Sequence, residues 1–321
     1  MYYIFVAAGL SLLLLGGEML VRGAVDLARR LGISPLIIGL TIVAYGTSAP
    51  ELLVSLEANL SGSPGIAIGN VVGSNIANVL LIVGCSALIY PISCSIGGVN
   101  ANGLMVLGAT VLFLALGYTG AMTAWAAVFM LALLIGFTFY SYYAGRRDPD
   151  AAAAILEAEG FENGTRPVPR TLAILLAGMF GVILGSHLLV TGAANLARSF
   201  GISEATIGLT LVALGTSLPE LATAIVAAYR RHSDVALGNV VGSNIFNILG
   251  IMGVVPLFGA LPVPTAVLNF DFWIMLGTTA VFVAWTTVCH SFGRLMAVLF
   301  LFAYLAYIAC HYFGISAMAM G

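Results

Sequence analysis

Two pairs of short segments in this chain present carboxylates, hydroxyls and amides in the same order. GTSAPEL at 46–52 is followed by GNVVGSNIAN at 69–78, and GTSLPEL at 215–221 by GNVVGSNIFN at 238–247. Residues three and four apart share one face of a helix. Thr47, Ser48 and Glu51 therefore form a polar stripe with Ala44 one turn before it, and Thr216, Ser217 and Glu220 form a second with Ala213 before it. Proline has no amide hydrogen, so Pro50 releases the carbonyl of Gly46 and Pro219 that of Gly215. Asn70, Ser74 and Asn78, spaced by four, make another stripe, repeated as Asn239, Ser243 and Asn247. Every ligand atom on offer is an oxygen, with no His or Cys among them. Such a set suits a hard cation, Ca2+ or Na+, and not zinc or copper. Ca2+ takes about 6 to 8 oxygens, and two carboxylates would neutralise one such ion.

These residues sit in a chain built for lipid. Of its 321 residues 61% are hydrophobic and 7% charged, against roughly 25% charged in a soluble domain, and the mean hydropathy is +1.09. So few charges cannot cover so much apolar surface in water. Apolar runs predict ten transmembrane helices at about 3–24, 36–60, 66–90, 101–118, 122–144, 171–195, 205–229, 235–257, 268–288 and 295–313, each near the ~20 residues a bilayer requires. Glu51 and Glu220 then fall in the middle of the second and seventh spans. A lipid-facing carboxylate there costs roughly 2.5–3.5 kcal/mol, so both must face protein, water or ions. The composition excludes a soluble enzyme. The net charge of -2 and four dispersed cysteines argue against a nucleic-acid partner, a disulfide framework and a zinc site. The lipid bilayer is the one partner implied, and no cofactor or protein partner is called for.

The chain also repeats itself. A shift of 169 residues, without a gap, superimposes both motif pairs, and 36 of 65 positions are identical between 20–84 and 189–253. Five spans per half is an odd number, so the second half enters the membrane from the opposite side. The expected architecture is therefore an all-α polytopic membrane protein of two five-helix inverted-topology repeats, 1–144 and 171–321, joined by a polar cytoplasmic linker at 145–170. Transporters built this way carry their sites near the midplane. The chain has no lysine, and ten of its eleven arginines fall at one set of connections, leaving Arg198 alone on the other. Positive charge favours the cytoplasm, which predicts a cell-membrane protein with both termini outside.

GTSAPEL with GNVVGSN, repeated as GTSLPEL with GNVVGSN, resembles the two alpha-repeats of the cation/calcium antiporter superfamily, specifically its prokaryotic sodium/calcium exchangers. The resemblance implies a secondary antiporter that exchanges Na+ for Ca2+ by alternating access. It implies that Glu51 and Glu220 are shared between a calcium site and surrounding sodium sites. Thr47 and Thr216 would serve Ca2+ through their carbonyls, Ala44, Ser48, Ala213, Ser217, Ser74 and Ser243 would help to build sodium sites, and Asn78 and Asn247 would complete the centre. Potassium-dependent relatives, and some other prokaryotic ones, carry Asp where this chain has Asn247, so its centre has one carboxylate fewer. A proton- or potassium-coupled calcium antiporter is the alternative. An intramembrane hydrolase would need His or Lys beside Ser48 or Ser217, and the spans that hold them supply neither.

Overall fold

The structure, a computed structural model, describes residues 2–94, 99–145, 167–200, 215–289 and 291–312. The apolar runs become helices because in lipid a chain must satisfy its own backbone polar groups. In order they are α1 (Tyr2–Leu31), α2 (Pro35–Thr47), α3 (Ala49–Leu60), α4 (Pro64–Ile89), α5 (Val99–Gly117), α6 (Ala124–Ala144), α7 (Val168–Ser199), α8 (Leu218–Tyr229), α9 (Ser233–Phe258), α10 (Val267–Val288) and α11 (Arg294–Tyr312). Eight are long and apolar enough to span a membrane, and α2 with α3, bent by 41° at their junction, makes a ninth. The described residues thus yield eight or nine candidate spans where the sequence predicts ten. α8 is the described part of the seventh expected span. Residues 201–214, Ala213 among them, and most of the 145–170 linker lie outside the described residues.

α1 and α7 are longer than expected. The arginines that end the apolar run of α1 do not end its helix, whose 30 residues extend about 45 Å at 1.5 Å per residue. A bilayer core is roughly 30 Å thick, so a helix of this length crosses it at a tilt. The two helices run antiparallel and meet along glycines seven apart, Gly9, Gly16 and Gly23 on α1 against Gly178, Gly185 and Gly192 on α7. A Cβ on Gly16 would stand 2.7 Å from the nitrogen of Val182, and one on Gly178 2.5 Å from that of Leu20. Only the bare backbone permits that approach.

α4 and α9 are the most buried helices and α11 the least, so the GNVVGSN helices form the centre and α11 faces outward. Gly238 and Gly242 on α9 pack against Leu36, Leu40 and Ala44 of the α2 region. Two-residue ladders tie the connections: β1 (Ile92–Ser93) pairs with β4 (Ser291–Phe292), and β2 (Ala121–Met122) with β3 (Leu261–Pro262). Each ladder joins a connection from one half of the chain to one from the other. Glu18 on α1 receives Arg22 from its own helix and both Nε and a terminal nitrogen of Arg230 from the α8–α9 turn, at 2.5 to 2.8 Å. Arg231 in the same turn lies over the Tyr90 ring, 5.4 Å from its centroid. These arginines gather at one end of the bundle.

Candidate ion-binding site

The local chemistry of GTSxPEL breaks its helix. Ser48 closes α2 with φ -85° and ψ 7°, and Ser217 precedes α8 with φ -87° and ψ 3°. Proline follows two residues later, within the first turn of the next helix, where its fixed φ suits and its missing amide hydrogen is not needed. Glu51 and Glu220 therefore lie in the first turns of α3 and α8, where unpaired N–H groups favour a carboxylate. Of the carbonyls that proline leaves without a helical donor, that of Gly215 receives the Ser186 hydroxyl of α7 at 2.5 Å. Under the 169-residue shift Ser186 corresponds to Gly17, which has no hydroxyl to offer.

The two bends face one another across the centre. Ser48 Oγ donates to Glu220 Oε1 at 2.7 Å, and Ser217 Oγ to Glu51 Oε1 at 3.3 Å. Each serine therefore orients the carboxylate that belongs to the other half of the chain. Ser217 Oγ also lies 3.4 Å from Ser74 Oγ, which brings α4 into the cluster. Glu51 and Glu220 are each 1% exposed, yet Glu51 Oε2 and Glu220 Oε2 have no hydrogen-bond partner among the described residues. The same is true of Asn78 Oδ1, Ser243 Oγ and both side-chain polar atoms of Asn247.

Unpaired buried oxygens are costly unless something else coordinates them. Two carboxylates, two amide oxygens and a hydroxyl left in this condition fit a cation. α4 takes a wide π-turn at Asn78–Ile82 and α9 another at Phe246–Ile251. Such turns recur at functional sites, and here they coincide with the central asparagines.

Of the twelve residues singled out in the sequence, eleven are described, and Ala213 lies outside the described residues. Ala44, Thr47, Ser48, Glu51, Ser74, Asn78, Ser217, Glu220, Ser243 and Asn247 are buried, and Thr216 is half-buried at the second bend. Thr47 Oγ1 reaches Ala44 O and Asn239 Oδ1, both at 3.3 Å. Asn70 and Asn239 act differently from the oxygen stripe expected of them. Asn70 Nδ2 donates to the Glu51 carbonyl at 3.1 Å and to Ser55 Oγ at 2.9 Å, and Asn239 Nδ2 donates to the Glu220 carbonyl at 3.3 Å. They brace the backbone beside each glutamate.

Three further residues belong to the site although the stripes omit them. Ser186 is one. The others are Asn75 and Asn244, each 1% exposed. Asn78 Nδ2 donates to Asn244 Oδ1 at 3.0 Å. The signal for Asn75 and Asn244 is their place three residues before Asn78 and Asn247, one turn away on the same helix.

The putative antiporter CaxA of Alkalimonas amylolytica is 38% identical over 277 residues, 86% of this chain and 86% of its own length. The sodium/calcium exchanger MaX1 of Methanosarcina acetivorans is 31% identical, over 95% of this chain and 97% of its own. The structure also superimposes on that of the sodium-calcium exchanger NCX_Mj soaked with 10 mM Na+ and 10 mM Sr2+. The TM-score is 0.84 at 33% identity, with 96% of this chain and 97% of that chain covered. The family model for the sodium/calcium exchanger protein matches residues 1–143 and 170–313, which takes in both broken helices and both GNVVGSN helices. This chain therefore belongs to the sodium/calcium exchanger family.

Proposed function

We propose that this protein is an antiporter that exchanges Na+ for Ca2+ across the cell membrane by alternating access. The observation that carries the reading is the crossed pairing of Ser48 with Glu220 and Ser217 with Glu51, around buried carboxylate oxygens that no donor among the described residues satisfies. Ca2+ and Na+ are the substrates. The ligand set comprises Ala44, Thr47, Ser48, Glu51, Ser74 and Asn78 from one half and Ala213, Thr216, Ser217, Glu220, Ser243 and Asn247 from the other. Two carboxylates balance one Ca2+, and the hydroxyl, amide and carbonyl oxygens fill its remaining positions and serve Na+ around it. Coupling arises from competition, because the same two glutamates cannot hold Ca2+ and the full sodium load together. Either load neutralises the buried charge, and the conformational switch requires that neutralisation.

The architecture that goes with this function is ten helices in two five-helix repeats of opposite topology, 1–144 and 171–321, joined by the cytoplasmic segment 145–170. Antiparallel α1 and α7 support it, since their glycines contact each other in exchanged register, as do the ladders that join the two halves. Together these long helices form the gate, and α2–α4 with α8–α9 hold the ions. Both termini are outside, as the arginine distribution favours. More than two Na+ per Ca2+ makes the exchange electrogenic, and a membrane potential then contributes about 2.3 kcal/mol per charge per 100 mV.

The test is Ca2+ uptake into proteoliposomes that contain the purified protein and internal Na+. Uptake is expected with Na+ inside and is expected to stop when choline or K+ replaces it. Uptake driven by K+ or by a pH gradient without Na+ would overturn the assignment. An interior made positive with external K+ and valinomycin accelerates uptake if more than two Na+ leave per Ca2+.

A further inference from the structure

Four asparagines are buried on the two central helices, Asn75 and Asn78 on α4 and Asn244 and Asn247 on α9. An asparagine amide has an oxygen at one end and an NH2 group at the other, with nearly the same shape. Turned one way it coordinates a cation, and turned the other way it points hydrogens at it. A ligand asparagine therefore needs a neighbour that fixes its orientation. Asn78 has one. Its Nδ2 is engaged by Asn244 Oδ1 at 3.0 Å, and its Oδ1, buried and without a partner among the described residues, is the end left for an ion.

The 169-residue shift turns this pair into Asn247 Nδ2 and Asn75 Oδ1. That bond is not made. Asn75 Nδ2 donates to the Val71 carbonyl at 2.6 Å, while Asn75 Oδ1 and both polar atoms of Asn247 have no partner among the described residues. Among the unsatisfied atoms are thus the donor and the acceptor of the missing mirror bond.

We propose that Asn244 and Asn75 are positioning residues. Each accepts the amide hydrogen of the ligand asparagine in the opposite half, and so turns that ligand's oxygen toward the ion. In the conformation described here the Asn78–Asn244 bond is closed and the Asn247–Asn75 bond open. The two exchange when the site turns to the other side of the membrane, an exchange that the inverted-topology repeats proposed above would permit. The proposal rests on Asn78 and Asn247 being ion ligands, as in the function proposed above.

The experiment measures half-saturating Ca2+ for uptake, and the Ca2+-induced shift in melting temperature of the purified protein, for Asn244→Ala, Asn78→Ala and the double variant. Asn244→Ala is expected to raise half-saturating Ca2+ by ~10-fold, about the worth of one buried hydrogen bond. In the Asn78→Ala background it adds nothing, since the amide it orients is gone. The melting-temperature shift tracks binding even in a variant that transports poorly. A full Asn244→Ala effect that persists in the Asn78→Ala background overturns the positioning role, as does unchanged Ca2+ dependence in Asn244→Ala when Asn78→Ala weakens binding. If Asn78→Ala itself leaves Ca2+ binding unchanged, the ligand assignment falls and the positioning role with it. The mirror variant Asn75→Ala is expected to weaken Ca2+ binding at the membrane face opposite to the one that Asn244→Ala affects, measured in vesicles of single orientation. Equal effects of both variants on one face contradict the exchange.

Discussion

The Ser48 hydroxyl donates to Glu220 Oε1 at 2.7 Å, so the bend in one helix orients the carboxylate of another helix 172 residues away in sequence. The reciprocal contact from Ser217 to Glu51 is longer, 3.3 Å. Hydrogen bonds to charged groups are worth about 1.5–3 kcal/mol, and the shorter one holds its acceptor more firmly. Ser48→Ala is therefore expected to raise the Na+ concentration for half-maximal exchange by ~10-fold or more, with a smaller rise for Ser217→Ala. The Na+ dependence of Ca2+ uptake measures both. Unchanged curves would remove the serines from the site.

Ser186 ties the long helix α7 to the carbonyl that Pro219 leaves without a donor. Its removal strands a buried acceptor, at a cost of about 1–3 kcal/mol. Ser186→Ala is expected to melt several degrees lower than the native protein, while Ser186→Thr, which keeps the hydroxyl, stays close to it. Thermal unfolding in detergent distinguishes the two. Identical melting of Ser186→Ala and the native protein would show that the contact contributes nothing.

The glycine seam between α1 and α7 leaves no room for a side chain. A Cβ at Gly16 or Gly178 would press within 2.7 Å of backbone on the partner helix. Gly16→Val and Gly178→Val are expected to separate the pair and abolish exchange, with a clear fall in melting temperature. Gly103 is the control, because a Cβ there would meet Val283 at an ordinary 3.5 Å. Gly103→Ala should be tolerated, since alanine also favours the helix by about 1 kcal/mol over glycine.

The stripes of Thr47, Ser48 and Glu51 and of their repeats were legible because helical spacing is local, and because a carboxylate inside an apolar span has few places to go. The crossing of Ser48 to Glu220 was not, since it depends on how two bent helices face each other. Asn70 shows a different limit. Its residue type offers an oxygen and a nitrogen equally, and only the packing of α4 against the Glu51 carbonyl selects the nitrogen. The helix α1 continues past the apolar span because Arg22, Arg29 and Arg30 end the hydrophobic run while remaining good helix formers. Ser186 was hidden because its partner, the Gly215 carbonyl, is backbone and carries no sequence signature of its own.

Asn247 sits in the α9 π-turn with neither of its side-chain polar atoms paired among the described residues. Asn247→Asp adds a third carboxylate to the centre, and the added charge calls for another cation. The expected outcome is stimulation of Ca2+ uptake by K+ or an altered Na+ dependence. Asn247→Ala, which only removes the oxygen, should weaken ion binding without changing ion preference. If the Na+ and K+ curves of both variants superimpose on those of the native protein, Asn247 is a packing residue and not a ligand.

The central claim is that Glu51 and Glu220 together carry the exchanged ions. Calcium uptake into sodium-loaded proteoliposomes, compared among the native protein, Glu51→Gln and Glu220→Gln, tests it most directly. Glutamine keeps the volume and loses the charge, so each variant should fold and insert normally, as judged by its melting and elution behaviour. The expected result is uptake at background level in both variants, because one remaining carboxylate cannot neutralise Ca2+ in a buried site. Near-native sodium-driven uptake by either folded variant would contradict the account.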